Sequence, residues 1–511
     1  MGTSIENNKR IAKNTVMLYI RMILAMGVSL YTSRVVLNTL GVEDYGIYGV
    51  VGGLVILFSS INTTMATAVQ RFMNFEMGKR NEEKLNTVFN TSVIIHIGIA
   101  VVIFLILETL GVWFLNNEMN ISPERMNAAN WVLQFSIFAF VVSVLSVPYN
   151  AAIIANERMK AFAYFGILEV FLKLLIVFML NWFSFDKLKL YAVLMFVLSV
   201  IFRIIYGVYA KKNFKECSFH WEWDKGLFKE MTAFAGWNLI GVSSTLIRTQ
   251  GNNIVLNIFF GAFVNAAMTI ANTVKNAVEQ FTGNFLVAIS PQITKSYASE
   301  DRNYFLNLVY KGSKYAFYML LFITLPLILE SEFILKLWLK IVPEYAVIFV
   351  KLILFTALIE SLSKLLIQAM FATGNIRNYQ IIVGSITLMN LPLSILFLYW
   401  GYPPQVTLTI GIAIAIISLF VRIFMLNKMI GLSIREFSTN VLIKALNVSA
   451  IAVVLPLVLL YSLSSGMYRF LLVGLACAIS VSLSVFFVGL TSSERILVKR
   501  KVIHQLKKIL K

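Results

Sequence analysis

Apolar runs of about twenty residues or more, separated by short polar links, follow one another along almost the whole chain. A hydrocarbon core about 30 Å thick is crossed by about twenty apolar residues wound as a helix. About fourteen segments meet that length, beginning with 14–38 and 45–74, passing through 232–260 and 263–293, and ending with 444–463 and 470–490. The pattern predicts an all-α integral membrane protein of about 14 transmembrane helices. The polar stretch Met1–Lys13 runs directly into the first apolar segment without a small-residue cleavage site, so no removable signal peptide is expected.

The links carry the next layer of information. With the N-terminus inside, roughly 28 Lys and Arg fall in inner links and the tail, against roughly 6 in outer links, which is the bias that orients multi-pass proteins. Both termini are therefore expected on the cytoplasmic side. The longest internal link, KKNFKECSFHWEWDKGLFKE, alternates lysines with Phe214, Phe219, Trp221, Trp223 and Phe228. It suits either an amphipathic piece at the headgroups or a plain linker with interfacial aromatics. The expected organisation is spans 1–6 in residues 1–210, a cytoplasmic linker in 211–231, spans 7–12 in 232–426, spans 13–14 in 427–490 and a basic cytoplasmic tail in 491–511. The tail suits an amphipathic helix on anionic lipid or a solvated segment.

Two echoes relate the halves. Val35-Val36-Leu37-Asn38 followed by Gly41 recurs as Ile254-Val255-Leu256-Asn257 followed by Gly261, and Ala155-Asn156-Glu157-Arg158 recurs as Ala372-Thr373-Gly374-Asn375. With six spans per half, the halves share one orientation and read as parallel repeats.

Composition narrows the function. The chain is 59% apolar with mean hydropathy +0.79 and 14% charged, against about 25% charged in soluble domains. Its net charge of +19 lies in links between spans rather than on one solvated face, so it does not point to nucleic acid. Cys217 and Cys477 lie far apart and suggest neither a disulfide framework nor a zinc site. No GxxxxGK[ST] loop and no cofactor motif is present, and the links are too short for a nucleotide-binding domain.

Basic residues inside apolar spans are the candidate chemistry. A Lys or Arg at a bilayer centre costs about 2.5–3.5 kcal/mol even on the lenient insertion scale, so such residues face one another, an acid or water. Arg248 sits mid-span, and Trp237, Gly241, Ser244, Arg248 and Asn252 recur on one helical face. The next span carries Asn272, Lys275 and Glu279; in the first half Arg21, Arg34 and Asn62 occupy spans 1 and 2. Glu169 with Lys173, Lys275 with Glu279, and Glu360 with Lys364 stand four apart, close enough to pair within one helix. Arg248 has no such local partner. The expected substrate-binding set is Arg248, Arg21, Arg34, Lys275, Asn252, Asn272 and Asn62. Glu279, Glu169, Glu360 and His96 are candidates for carrying a coupling proton or ion, with helix pairing, or for His96 a packed hydrogen-bonded role, as the structural alternative.

The stretches SRVVLNTLGVEDYGIYGVVGGLVILFSSI (Ser33–Ile61) and PYNAAIIANERMKAF (Pro148–Phe162) resemble the polysaccharide-unit flippases, O-antigen type, of the multidrug/oligosaccharidyl-lipid/polysaccharide exporter superfamily. The resemblance implies two six-helix lobes around a central cavity plus two added helices. It also implies movement of an undecaprenyl-pyrophosphate-linked oligosaccharide from the cytoplasmic to the periplasmic leaflet of the bacterial inner membrane. In related flippases arginines of the first helix of each lobe line the cavity, and Arg21, Arg34 and Arg248 occupy comparable helices. The expected partners are that anionic lipid-linked glycan, membrane lipids and H+ or Na+ as coupling ion, for a monomer. Two other readings remain: a cation-coupled multidrug or small-molecule exporter of the same superfamily, which an acid-dominated interior would favour, and a membrane glycan polymerase or ligase, which the short outer links disfavour.

Overall fold

The computed structural model describes residues 2–56, 58–119, 121–180, 182, 185–339 and 342–496, and within them every regular element is helical. In chain order these are α1 (Gly2–Leu40), α2 (Val42–Ile56), α3 (Ser59–Lys79), α4 (Glu82–Asn117), α5 (Pro123–Ala155), α6 (Met159–Met179), α7 (Lys187–Asn213), α8 (Lys225–Phe260), α9 (Ala262–Ala298), α10 (Arg302–Leu329), α11 (Ser331–Trp338), α12 (Ala346–Thr373), α13 (Arg377–Tyr399), α14 (Val406–Ile430), α15 (Ile434–Ser462) and α16 (Met467–Gly489). Eleven of them are long and apolar enough to cross a membrane. The other expected spans fall on α2–α3, α8 and α9: α2 is apolar but only 15 residues long, whereas α3, α8 and α9 are more polar. In those three the sequence places Asn, Thr and basic residues, so there the hydropathy shortfall and the candidate chemistry have one cause.

The chain divides into two compact units. The first runs to Val242 and takes in Val287–Asp301 and Phe371–Arg377; the second comprises Ser243–Leu286, Arg302–Met370 and the chain from Asn378 onward. In the first unit α5 packs against α2, α3, α4 and α7, and α1 lies along α6. Its core includes Val51, Leu107, Leu115, Leu133, Ile137 and Leu188, all buried. On the side expected to be extracytoplasmic, Arg125 near the start of α5 bridges Asp44 at 2.5 Å and Asp186 at 2.8 Å. Asp186 also caps α7 by accepting from the Leu188 and Lys189 backbone N–H groups.

The link between α7 and α8 is shorter than the expected linker. It contains a single 3₁₀ turn, Lys215–Cys217, and no helix of its own. Asn86 donates to the Glu216 and Ser218 carbonyls, and Asn90 accepts from the His220 N–H, which ties the link to α4. Trp221 and Trp223 are left exposed. Burial pushes the Cys217 thiol well above its usual range, so it is held protonated and unreactive.

The sequence echoes correspond to matching backbone. Left-handed residues close helices at Gly41 (φ 85°) and Gly261 (φ 75°), at Arg80 (φ 56°) and Glu300 (φ 58°), and at Glu157 (φ 56°) and Gly374 (φ 78°). The members of each couple are 220, 220 and 217 residues apart. Equivalent turns at an almost constant offset are what a duplicated helical unit produces.

In the second unit α15 and α16 pack together and against α10. Arg469 on α16 makes a two-nitrogen pair with Glu330 just past the end of α10, at 2.9 and 3.0 Å, and Glu330 is almost fully buried. Lys314 on α10 reaches Glu494, just beyond α16, at 3.1 Å. Burial alone would raise the Glu494 carboxyl. The Thr491 N–H, the Tyr315 hydroxyl and the Lys314 ammonium outweigh that effect and hold it at about 2. A carboxylate whose folded value lies below its unfolded value of 4.5 stabilises fully above that pH, and its contribution is lost as pH falls toward 2. Thermal unfolding in detergent should therefore show a Glu494-dependent loss below about pH 4.5, and Glu494→Gln should remove that part of the pH dependence.

The basic tail from residue 497 lies outside the described residues, and with it the amphipathic-helix reading of the tail.

Candidate functional site

The polar stripe of α8 folds toward α9 and α12 within the second unit. Arg248 directs Nη1 and Nη2 at Glu360 Oε1, at 3.5 and 3.4 Å, while Lys275 Nζ holds Glu360 Oε2 at 3.2 Å. Lys364 Nζ lies 3.9 Å from Glu279 Oε1 and donates to the Thr282 hydroxyl at 2.8 Å. Lys275 is 4.0 Å from Glu279. Three cations and two carboxylates thus form one cluster, with an excess of one formal positive charge. All five side chains are between 14% and 28% exposed, so they are neither fully dried nor freely solvated.

This arrangement completes one expectation and corrects another. Arg248, which has no counter-charge on its own helix, finds one in Glu360, 112 residues further along the chain. The expected pairing of Glu360 with Lys364 is replaced by contacts between helices: Glu360 serves α8 and α9, while Lys364 turns to Glu279 and Thr282 on α9. Inter-helix ion pairs satisfy buried charge and brace three helices together, which a pair within one helix cannot do.

A small cavity of about 50 Å³ lies beside the cluster, and Arg248, Asn252, Asn272 and Lys275 all line it. Four expected binding residues therefore converge. Asn252 donates to Asn390 Oδ1 on α13 at 2.7 Å, and Asn390 in turn donates to the Thr407 carbonyl at 3.3 Å. The Asn252 Oδ1 is buried without a hydrogen-bond partner, leaving an acceptor at the cavity. Close approach of α13 to α8 is set by Gly384, where a Cβ would stand 3.0 Å from Ser244 Oγ.

The remaining expected residues lie in the first unit. Asn62, Glu169 and Lys173 line a separate cavity of about 500 Å³, and Lys173 pairs with Glu169 at 2.7 Å as its spacing predicts. Arg21 stacks over the Phe162 ring at 4.4 Å and lies against Gly166, where any side chain would collide with the guanidinium. The Arg34 side chain lies outside the described residues. His96 is buried, with Nδ1 2.6 Å from the Ser92 carbonyl, as a packed histidine of α4 would be.

One charge cluster went unread in the sequence. Glu157, in the turn after α5, is paired with Arg10 at 2.8 Å and Lys295 at 2.9 Å, and it accepts from Gln292 Nε2 at 2.6 Å. Lys295 also donates to the Ala155 carbonyl at 2.6 Å. The equivalent turn after α12 is engaged likewise: Arg71 on α3 donates to the Ala372 carbonyl at 3.3 Å and lies against Gly374. The signal was the echo itself, since equivalent turns invite equivalent clamps. No group of three or more His, Cys, Asp or Glu that could hold a metal occurs among the described residues.

Comparison with known proteins places this geometry in context. A family model described as polysaccharide biosynthesis protein matches residues 11–297. The uncharacterized membrane protein EpsK of Bacillus subtilis (strain 168) is 19% identical over 299 residues, and the chain spans about 57% of the length of that relative. Among solved structures, an outward-facing multidrug-resistance MATE-family transporter of the MOP superfamily aligns with a TM-score of 0.70 at 13% identity, over 82% of this chain and 96% of the other. A MOP-superfamily transporter from Pyrococcus furiosus, described as having a binding pocket of reversed polarity, aligns with a TM-score of 0.68 at 14% identity over the same shares.

Proposed function

The chain belongs to the polysaccharide biosynthesis protein family and has the fold of a multi-pass membrane transporter, and from that premise we propose that it flips an undecaprenyl-pyrophosphate-linked oligosaccharide from the cytoplasmic to the periplasmic leaflet. The cluster of Arg248, Lys275 and Glu360 carries this reading. A lipid-linked sugar pyrophosphate has an apolar tail that stays in lipid and a headgroup whose charge cannot. In this reading Glu360 holds Arg248 and Lys275 aligned while no cargo is present. The pyrophosphate then takes over their N–H groups, replacing one acceptor by another without exposing bare cations. The cavity of about 50 Å³ is too small for a pyrophosphate, so loading requires the cluster to open.

The host membrane is the bacterial cytoplasmic membrane, with both termini cytoplasmic, as the bias of Lys and Arg suggests. The protein moves its cargo by alternating access as a monomer, for O-antigen, capsule or exopolysaccharide synthesis, and performs no covalent chemistry. Glu279, Glu360 and Glu169 are the carboxylates available to couple transport to H+ or Na+. A cation-coupled drug exporter would share the fold, but a site with more cations than carboxylates is unsuited to organic cations.

The test is deletion of the gene followed by lipid extraction. Undecaprenyl-pyrophosphate-linked glycan should accumulate on the cytoplasmic leaflet while surface glycan is lost. Drug sensitivity with normal surface glycan would overturn the proposal.

A further inference from the structure

The first unit holds a cavity of about 500 Å³ among α3, α5, α6 and α7, well within the range of about 300–1,000 Å³ typical of small-ligand sites. We infer that this cavity is a saccharide subsite, which receives an uncharged sugar unit of the cargo; the inference rests on the flippase reading above.

Three observations select that ligand class. The wall is built from amides and hydroxyls, including Asn62, Asn150, Ser143, Ser146 and Ser199. Such groups both donate and accept, which is what a ring of hydroxyls requires of its partner. Second, the Oδ1 atoms of Asn62 and Asn150 are buried and have no hydrogen-bond partner. The Asn62 amide nitrogen makes only a long contact of 3.4 Å with the Ser143 hydroxyl. Buried acceptors left open are costly unless something donates to them, and sugar hydroxyls do so in pairs.

Third, the cavity is charge-balanced. Its two ionised side chains, Glu169 and Lys173, neutralise each other at 2.7 Å. It therefore offers no net attraction to a pyrophosphate, in contrast with the cluster around Arg248. Phe202 and Tyr206 supply ring surface on one wall, against which the apolar face of a pyranose can pack.

Binding to the full-length protein in lipid nanodiscs tests this with four probes: bare undecaprenyl pyrophosphate, and undecaprenyl pyrophosphate bearing glucose, galactose or N-acetylglucosamine. Wild type should bind at least one sugar-bearing probe about tenfold more tightly than the bare one. Asn150→Leu and Asn62→Leu should reduce that preference below about twofold, and Asn150→Leu should leave bare-probe affinity unchanged, which also shows that this variant is folded. Asn150→Ser, which replaces the amide with a hydroxyl that can still donate and accept, should retain part of the preference. If wild type binds the bare probe but prefers none of the sugars, or if both leucine variants keep the full preference, the saccharide subsite is wrong. If wild type binds none of the four probes, the flippase reading itself fails.

Discussion

Arg248→Ala should insert and remain monodisperse yet lose glycan transport by about a hundredfold. The fold survives because Glu360 keeps Lys275 at 3.2 Å, so no carboxylate is left uncompensated in a half-buried site. Transport suffers because a cation 4 Å from a phosphate charge contributes about 4 kcal/mol at an effective dielectric near 20. Desolvation takes back part of that, and about 2.7 kcal/mol retained corresponds to a hundredfold. Arg248→Lys should keep a measurable fraction, since it preserves the charge and loses the planar two-nitrogen fork now directed at Glu360. The double variant Arg248→Ala/Glu360→Gln separates two roles. Provided Glu360→Gln alone keeps transport, which sets aside a coupling role for that carboxylate, removing both restores surface glycan if Arg248 exists only to neutralise Glu360 and leaves the protein inactive if Arg248 contacts the pyrophosphate. Recovery in the double variant would remove Arg248 from the substrate site.

The polar faces of α8 and α9 were legible in the sequence because helical periodicity is local: Ser244, Arg248 and Asn252 fall on one stripe whatever the rest of the chain does. What that stripe faces was not legible. Glu360 and Asn390 come from helices more than a hundred residues away, and no local pattern identifies them as partners. The same limit explains Lys314 and Arg469. Both read as topological charges in or near links, yet each pairs with a buried carboxylate, Glu494 or Glu330, and pins the last helices to α10. Within-helix spacing was a sound guide where no other carboxylate competed, as for Glu169 and Lys173, and failed for Lys364, where Glu279 and Thr282 on a neighbouring helix lay closer. Hydropathy was informative even where it fell short, because α3, α8 and α9, long helices that it passes over, carry polar stripes.

Removing Glu157 should destabilise the protein more than any single change at the Arg248 cluster. Its side chain is 2% exposed and gathers Arg10, Lys295 and Gln292, so Glu157→Ala leaves the Lys295 ammonium against the Ala155 carbonyl without its paired carboxylate. Breaking a buried pair from one side costs about 3–5 kcal/mol. Lys295 is 22% exposed, and the lower figure of about 3 kcal/mol is the one expected from that range. Arg10 is half exposed, and Arg10→Ala should cost about 1 kcal/mol or less. The backbone sharpens the test. Glu157 sits at φ 56°, in the left-handed region where its counterpart turn has Gly374. Glu157→Gly should therefore be less damaging than Glu157→Ala, by about 1 kcal/mol, because glycine relieves the steric cost of that conformation. The double variant Glu157→Ala/Lys295→Met should recover more than half of the loss, since it replaces the stranded ammonium with an apolar chain of similar length. Thermal unfolding of these four variants and of Lys295→Met in one detergent decides the matter. Strictly additive losses for Glu157 and Lys295 would show that the two do not act as a pair.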